Sequence, residues 1–218
     1  MIDPNNIVNR DYTDEQLEEL LIFCICVAGK TASTIAPRVH KMLEEMKRQA
    51  IPFGYGKHTS YDYGYGLKPL GVIRRYLEFR NKEGSMSERR DLLAKMLKKH
   101  GIGTMKMKAT SIIEAAYSFH CEDLRSIKAD TLASFYGIGP KTSRFFIMCF
   151  KPESRYAALD THILKFLKEK GIENVPKVTP GSRVAYRRLE KAFLKLVPEG
   201  KTPGEFDLEV WKSYALTD

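Results

Sequence analysis

The sequence predicts an all-α protein, and three observations favour this fold class. Apolar residues recur three and four positions apart along most of the 218 residues, which is the spacing of one helix face. No segment shows the sustained alternation of apolar and polar residues that a half-buried strand requires. With 43% hydrophobic residues, the chain can bury one core or two small cores that pack intimately. We therefore expect no independent domains.

The first helix is predicted over residues 14–28. Thr13 and Gln16 fit a capping box, in which two side chains bond the backbone reciprocally at a helix start. The apolar positions that follow have the i, i+3, i+4, i+7 spacing of one stripe: Leu17, Leu20, Leu21 and Cys24. Similar patterns predict helices over 32–49, 69–80, 86–99, 106–119, 130–135, 140–150, 160–170, 183–196 and 204–214.

The segment from Leu132 to Ser143 predicts a helix, a tight hairpin and a second helix. Apolar residues lead into Gly137-Ile138-Gly139, and the pattern restarts at Pro140, whose fixed φ suits the first turn of a helix. The glycines permit positive φ and a close approach to another backbone. The unpaired N–H groups at the new helix start can hold an anion such as a phosphate.

The charge balance fits an anionic partner. Lysine and arginine number 36 against 27 acidic residues, which gives a net charge of +9 and a pI near 9.3. Such an excess permits binding to nucleic acid without establishing it. The sequence has no apolar run long enough for a membrane helix and no signal-peptide pattern at Met1–Asn5. We expect an intracellular protein of the cytoplasm or nucleoid.

The four cysteines, at 24, 26, 121 and 149, suggest no disulfide framework, which agrees with an intracellular compartment.

Ala28-Gly29-Lys30-Thr31 mimics the end of a phosphate-binding loop, but Cys24 stands where that motif needs glycine and the segment ends a helix. Residues 53–66 contain four glycines and four tyrosines. This island is either a surface loop or a set of aromatic faces that stack on bases or close over a pocket.

Residues 132–143, together with Ala158-Leu159-Asp160-Thr161-His162-Ile163, resemble the helix-hairpin-helix DNA glycosylase superfamily. The resemblance makes Lys141 the nucleophile and Asp160 its electrostatic partner, and Asp160 follows Lys141 by 19 positions, as that superfamily expects. Residues 101–109 resemble the turn and helix that precede the hairpin, so the likeness spans 17–165. The alternative is that Lys141 only touches a phosphate and Asp160 only caps a helix.

The resemblance implies two intimately packed helical subdomains with the active site in the cleft between them. One would be a helical barrel over about 30–165, including the hairpin module at 130–150. The other would combine 1–29 with 166–218. All 218 residues would form a single catalytic unit.

The resemblance also assigns DNA-backbone contacts to Gly137, Gly139, Thr142 and His162. For His162, an exposed polar residue of the first helical turn is an equal alternative. The hairpin carbonyls could hold a monovalent cation that bridges to a phosphate. Many relatives hold an iron-sulfur cluster on four C-terminal cysteines, but this sequence has no cysteine after 149. We therefore expect no cluster and no other cofactor or metal.

The C-terminal residues Glu205 to Trp211 resemble the ending of microbial and archaeal 8-oxoguanine DNA glycosylases. Asp207 and Trp211 are four apart, so they share a helix face, where a carboxylate could accept purine N–H groups and an indole could stack on the base. The alternative is a core tryptophan on an amphipathic helix. The final Leu216-Thr217-Asp218 departs from relatives that end in lysine. In relatives, a residue at the place of Gly29 and Lys30 fills the gap that the flipped base leaves in the duplex. Gly29 and Lys30 differ from the residues that those relatives use.

These inferences predict a bifunctional DNA glycosylase and abasic-site lyase that acts on an oxidised purine in damaged duplex DNA. Among oxidised purines, we expect 8-oxoguanine to be the substrate. Two alternatives stay open. A glycosylase for oxidised pyrimidines or other damaged bases would keep Lys141 and Asp160 but ignore Asp207. A non-catalytic module would bind duplex DNA without a covalent intermediate. We expect a monomer that has no membrane partner.

Overall fold

The computed structural model describes residues 1–8, 10–50, 68–119 and 121–215, and every regular element within these ranges is a helix. The predicted all-α fold class is therefore confirmed over the described chain. The Gly/Tyr island at 53–66 lies outside the described residues. None of the described helices is long and apolar enough to cross a membrane.

Backbone contacts divide the chain into two units. The first unit comprises Met1–Asn5, Tyr12–Ile127 and Phe135–Gly137. The second unit comprises Asn6–Asp11, Lys128–Ser134 and Ile138–Asp218.

The first unit contains six helices among its described residues: α1 (Asp14–Val27), α2 (Ala32–Ala50), α3 (Pro69–Arg80), α4 (Met86–Lys99), α5 (Met105–Ser118) and α6 (Cys121–Ser126). Helix α1 is central, because it packs against α2, α3, α5 and α6. The capping box predicted at Thr13 and Gln16 is present. Residues 17–26 are buried on every side of α1, so the predicted single apolar stripe is too narrow.

Two buried carboxylates of α1 bind neighbouring elements of the first unit. The Glu18 Oε2 atom accepts a hydrogen bond of 2.7 Å from the backbone N–H of Leu70, in the first turn of α3. The Glu19 Oε1 atom lies 3.2 Å from His40 Nδ1 on α2. Burial raises the pKa of the Glu18 carboxyl, and the Leu70 N–H opposes the shift.

The second unit contains five helices among its described residues: α7 (Ala129–Leu132), α8 (Pro140–Phe150), α9 (Thr161–Glu169), α10 (Arg183–Leu194) and α11 (Pro203–Ala215). Helix α9 packs against α10 and α11, and α8 packs against α7 and α11. The core includes Ile163, Phe166, Leu189, Phe193 and Val210. This packing fixes the N-terminal turns of α8 and α9 within one unit.

The contacts group the helices differently from the predicted subdomains. The prediction joined 1–29 to 166–218, but α1 belongs to the first unit because its buried surface is covered by α2, α3, α5 and α6. Helices α8 and α9, predicted within the barrel, belong to the second unit with α10 and α11. Residues 135–137 belong to the first unit, so the division passes through the hairpin.

Candidate active site

Lys141 lies in the first turn of α8. Gly139 is the N-cap residue, in extended conformation at φ −82° and ψ 175°, and Pro140 occupies the first helical position. Gly139 offers no side-chain cap, so backbone N–H groups of this turn can bind an external acceptor. Thr142, the next residue, is half-buried. The predicted helix start at Pro140 is confirmed.

Asp160 is the N-cap of α9, and its two carboxylate oxygens have different partners. The backbone N–H of Ile163 donates a hydrogen bond of 2.9 Å to Oδ1. The Oδ2 atom lies 3.9 Å from Lys141 Nζ, with the lysine side chain 42% exposed and the aspartate side chain 14% exposed. Asp160 therefore caps its helix and faces the lysine at the same time.

The three residues before Asp160 are buried, and side chains from elsewhere in the second unit bind their backbone. Glu190 Oε1 accepts from Ala157 N–H at 3.2 Å, and Asp207 Oδ2 accepts from Ala158 N–H at 3.0 Å. The Tyr186 hydroxyl donates to the Ala157 carbonyl at 2.8 Å.

The same hydroxyl accepts from Leu159 N–H at 3.0 Å. The Thr179 hydroxyl donates to the Leu159 carbonyl at 2.7 Å. Side chains thus bind both the N–H and the carbonyl of Ala157 and of Leu159.

Arg144 links this backbone segment to α8. Its Nε atom donates to Glu190 Oε1 at 2.7 Å, and both side chains are buried. Its guanidinium carbon lies 4.7 Å from the centre of the Tyr186 ring and 5.5 Å from that of Tyr156. Burial raises the pKa of the Glu190 carboxyl, while the Arg144 guanidinium opposes that shift.

Asp207, predicted to read the base, is buried on α11 and bound to the Ala158 N–H. Burial raises the pKa of this carboxyl to about 8. The Ala158 N–H and the Lys141 ammonium lower the pKa, and the Asp160 carboxylate raises it further. The structure therefore brings Asp207 into the electrostatic environment of the Lys141 and Asp160 pair.

Trp211 lies at the surface of α11 rather than in the core. Its ring contacts the His162 ring edge to face, with centroids 6.1 Å apart and planes at 86°. His162 is half-buried in the first turn of α9. His162, predicted to contact the DNA backbone, and Trp211, predicted to stack on the base, therefore contact each other. His162 lies two positions after Asp160.

The two hairpin glycines are glycine for different reasons. Gly137 has φ +72°, and a Cβ atom there would lie 2.1 Å from Ser111 Oγ, so the first unit itself requires glycine. Gly139 has an extended backbone, and a Cβ atom there would meet no atom of the described residues within 4 Å. The fold leaves the glycine at 139 unexplained, which fits a contact with an external molecule.

Four residues of this site were not predicted from the sequence: Thr179, Arg144, Tyr186 and Glu190. The sequence does contain a signal for Glu190. This residue lies four positions after Tyr186, so it shares the helix face of the apolar residues Tyr186, Leu189 and Phe193. A charged residue at a core-facing helix position needs a buried partner. The identity of that partner was not readable from α10 alone.

Two other predictions concern phosphate and metal sites. Ala28-Gly29-Lys30-Thr31 follows the helix α1 and not a strand, as expected for a fortuitous match. Within the described residues, no group of three or more His, Cys, Asp or Glu side chains could hold a metal ion. The monovalent cation at the hairpin stays a prediction.

Comparison with solved structures identifies the fold. The 8-oxoguanine glycosylase/lyase of Methanocaldococcus jannaschii, solved with a 15mer DNA containing 8-oxoguanine, matches with a TM-score of 0.61 and 19% identity, over 94% of this chain and 83% of that one. The 8-oxoguanine DNA glycosylase of Thermotoga maritima matches with a TM-score of 0.61 and 22% identity, over 92% and 80%. No protein-family model and no curated protein sequence matches the chain significantly. The chain has the helical fold of these glycosylases, as its hairpin motif predicted.

Proposed function

We propose that the chain is a bifunctional DNA glycosylase and abasic-site lyase that excises an oxidised purine, favouring 8-oxoguanine, from duplex DNA in base excision repair. The observation that carries the proposal is the 3.9 Å approach of Lys141 Nζ to Asp160 Oδ2, at the N-terminal turns of two helices in one unit. The fold shared with 8-oxoguanine glycosylases supports the substrate class.

The two side chains suit the two halves of base excision. The damaged nucleotide is first rotated out of the duplex, which costs a few kcal/mol. The neutral amine of Lys141 then forms a bond to C1′ while the glycosidic bond breaks, and the base leaves with that electron pair. The Asp160 carboxylate stabilises the positive charge that develops on the sugar.

A lysine nucleophile also provides the lyase step. The nitrogen lone pair then forms a double bond to C1′ while the C1′–O4′ bond breaks and O4′ takes up a proton, so the sugar ring opens and a protonated Schiff base joins Lys141 Nζ to C1′. Removal of a C2′ proton then expels the 3′ phosphate by β-elimination, and hydrolysis of the Schiff base regenerates the amine. An enzyme that used water as its nucleophile would instead stop at the abasic site.

Several features of the second unit support DNA binding. The first turn of α8 offers N–H groups beside Gly139, where a phosphate can approach closely because glycine has no side chain. His162 lies in the first turn of α9 and could contact a phosphate beside the rotated nucleotide. The net charge of +9 supports the same partner.

Asp207 and Trp211 support recognition of a purine, but one observation favours a second candidate. Trp211 is exposed at α11 and can stack on a base. Asp207 already accepts the Ala158 N–H through Oδ2, so only part of its hydrogen-bonding capacity can serve a base. This engagement favours a glycosylase for oxidised pyrimidines or other damaged bases, in which Asp207 is structural.

Borohydride trapping on a panel of lesion duplexes tests the proposal. Wild-type protein should form a covalent adduct and release the base from a duplex with 8-oxoguanine more rapidly than from duplexes with oxidised pyrimidines. Lys141→Gln should lose adduct and base release while still binding DNA, since the hairpin backbone and the other basic residues remain. Adduct formation by Lys141→Gln would remove Lys141 from the role of nucleophile. Binding without any adduct in wild type would leave a non-catalytic module.

A further inference from the structure

The buried backbone before Asp160 is held by side chains and not by secondary structure. Ala157, Ala158 and Leu159 are almost fully buried, yet they belong to no helix. Buried backbone groups without partners would cost free energy, so an irregular buried segment needs hydrogen-bonding side chains. Here those side chains come from Thr179, from Tyr186 and Glu190 on α10, and from Asp207 on α11.

One carboxylate oxygen joins this segment to the helix that bears the lysine. Glu190 Oε1 accepts both the Ala157 N–H and the Arg144 Nε–H. Arg144 lies three positions after Lys141 on α8. One connection between the lysine helix and the backbone before Asp160 therefore passes through this buried oxygen atom.

Tyr186 reinforces the same connection. Its hydroxyl binds the Ala157 carbonyl and the Leu159 N–H, which fixes the chain on both sides of Ala158. The ring lies against the Arg144 guanidinium, at 4.7 Å from its carbon atom. Displacement of this ring would disturb both the lysine helix and the backbone that leads to Asp160.

We infer that Tyr186, Glu190, Arg144 and Thr179 are positioning residues that set the separation of Lys141 Nζ from Asp160 Oδ2. This inference rests on the proposed function, because only a reaction at C1′ makes that separation matter. Displacement of reacting groups by about 1 Å can slow an enzyme by about 100-fold. The hydroxyl of Tyr186 is the sharpest probe, since phenylalanine retains the ring that packs on Arg144.

The first experiment compares two buried tyrosines, both substituted by phenylalanine. Tyr186→Phe should slow single-turnover base release and cleavage of a preformed abasic site by about 10- to 100-fold. The dissociation constant for DNA should stay within about twofold, because the hairpin contacts are unchanged. The matched control is Tyr76→Phe in the first unit, where the tyrosine is 3% exposed compared with 1% for Tyr186. The control should retain the wild-type rate at a temperature where both variants are folded.

A second pair of variants uses a half-buried residue that is less central to folding. Thr179→Val removes the hydroxyl that binds the Leu159 carbonyl, whereas Thr179→Ser keeps a hydroxyl at the same position. The valine variant should slow single-turnover cleavage by about 3- to 10-fold, which is less than the loss of about 100-fold expected when reacting groups are displaced by about 1 Å. Thr179→Ser should recover most of the rate. Equal rates in the two variants would contradict the inference.

Hydrogen exchange gives a readout that does not depend on activity. The Ala158 and Asp160 amides keep their own acceptors, Asp207 Oδ2 and the Ala158 carbonyl, in Tyr186→Phe. If the hydroxyl holds the whole segment, both amides should exchange at least about tenfold faster in the variant than in wild type.

The outcomes separate this inference from the proposed function. Unchanged exchange at both amides overturns the inference, and so does faster exchange with an unchanged rate. An equal loss of rate in Tyr76→Phe also overturns it, because general destabilisation would then suffice. If wild-type protein forms no adduct with any duplex, the proposed function fails, and the exchange comparison alone decides whether Tyr186 holds the segment.

Discussion

At the residue scale, the two oxygens of the Asp160 carboxylate have different partners. The sequence left a helix cap and a catalytic group as alternatives. In the structure Oδ1 caps α9 through the Ile163 N–H, and Oδ2 faces Lys141 Nζ. The cap fixes the orientation of the carboxylate, so the cap itself helps to hold the oxygen that faces the lysine.

Asp160→Asn should separate the two roles. Asparagine caps helices about as well as aspartate, so the free energy of unfolding should change by less than about 0.5 kcal/mol. The half-exposed pair with Lys141 adds little to stability. Single-turnover base release should fall by about 100- to 1000-fold, because the charge opposite the developing cation is lost.

The control for that experiment is Asp160→Ala, which removes the cap as well as the charge. It should lose about 1 kcal/mol of stability in addition to activity, measured by urea unfolding. A large stability loss in Asp160→Asn with retained activity would mean that Asp160 serves only the helix.

The two hairpin glycines predict opposite outcomes for the same substitution. Gly137→Ala should destabilise the protein by about 2 kcal/mol, because φ is +72° and the new Cβ would lie 2.1 Å from Ser111 Oγ. Gly139→Ala should leave stability within about 0.5 kcal/mol, since the weaker cap of alanine offsets its lower unfolded-state entropy.

DNA affinity should discriminate these glycine variants further. Gly139→Ala should bind duplex DNA more weakly than wild type while unfolding at nearly the same urea concentration, because its methyl group would stand where a phosphate approaches. Unchanged affinity in this variant would mean that position 139 does not contact DNA. Gly137→Ala serves as the comparison in which stability falls.

The sequence predicted that Lys141 and Asp160 lie at helix starts, because the signals for a helix start are local. The catalytic roles of the two residues stay predictions. Tyr186 lies 29 positions from the carbonyl that its hydroxyl binds, and Arg144 lies 46 positions from Glu190. Such pairs depend on where α10 lies relative to α8 and to the buried backbone before Asp160, which the pattern of a single helix does not determine.

At the scale of elements, caps and apolar periodicity predicted most helix positions. The helices over 69–80, 86–99 and 140–150 agree with α3, α4 and α8 at both ends. Helix α6 was missed because its six residues, CEDLRS, are too few and too polar to show a period. The predicted helix at 130–135 ends at Leu132, since the chain turns early toward the hairpin.

Helix α11 carries a buried acid whose titration should be visible in stability. The pKa of Asp207 is raised from 3.8 to about 8, so the folded state retains a proton that the unfolded state releases. Between about pH 4 and pH 8 the folded state therefore binds more protons, and stability falls as pH rises. The slope from this group should approach about 1.4 kcal/mol per pH unit.

Asp207→Asn isolates that contribution, because its amide oxygen can still accept the Ala158 N–H without titrating. Urea unfolding of wild type and variant at pH 5, 6, 7 and 8 should give a difference in free energy that grows in favour of the variant with pH. Other titrating groups are common to both proteins and cancel. A difference that is constant with pH would mean that Asp207 has an ordinary pKa in the folded state.

At the scale of the whole molecule, the family resemblance implied two helical subdomains, but the contacts group the helices differently. Helix α1 is apolar enough to be central in any helical unit, and the sequence does not specify its neighbours. The structure surrounds it with α2, α3, α5 and α6. The assignment of helices to units depends on packing between elements distant in sequence, which periodicity does not encode.

The net charge of +9 leads to a prediction for the whole chain. If phosphate contacts dominate binding, the logarithm of the association constant for undamaged duplex DNA should fall linearly with the logarithm of salt concentration. Six contacts would give a slope of about −5 and a loss of about 1000-fold in affinity between 50 and 200 mM salt. The measurement is a titration of labelled duplex by fluorescence anisotropy at several salt concentrations.

Lys141→Gln is the matched comparison for the salt titration, because it removes one charge from the proposed site. Its slope should differ from that of wild type by no more than about one unit, since a nucleophile contributes at most one phosphate contact. A larger change would make Lys141 part of a phosphate-binding cluster. If wild-type affinity were independent of salt, its basic residues would be only a solvated surface, and the proposal of a DNA substrate would fail with them.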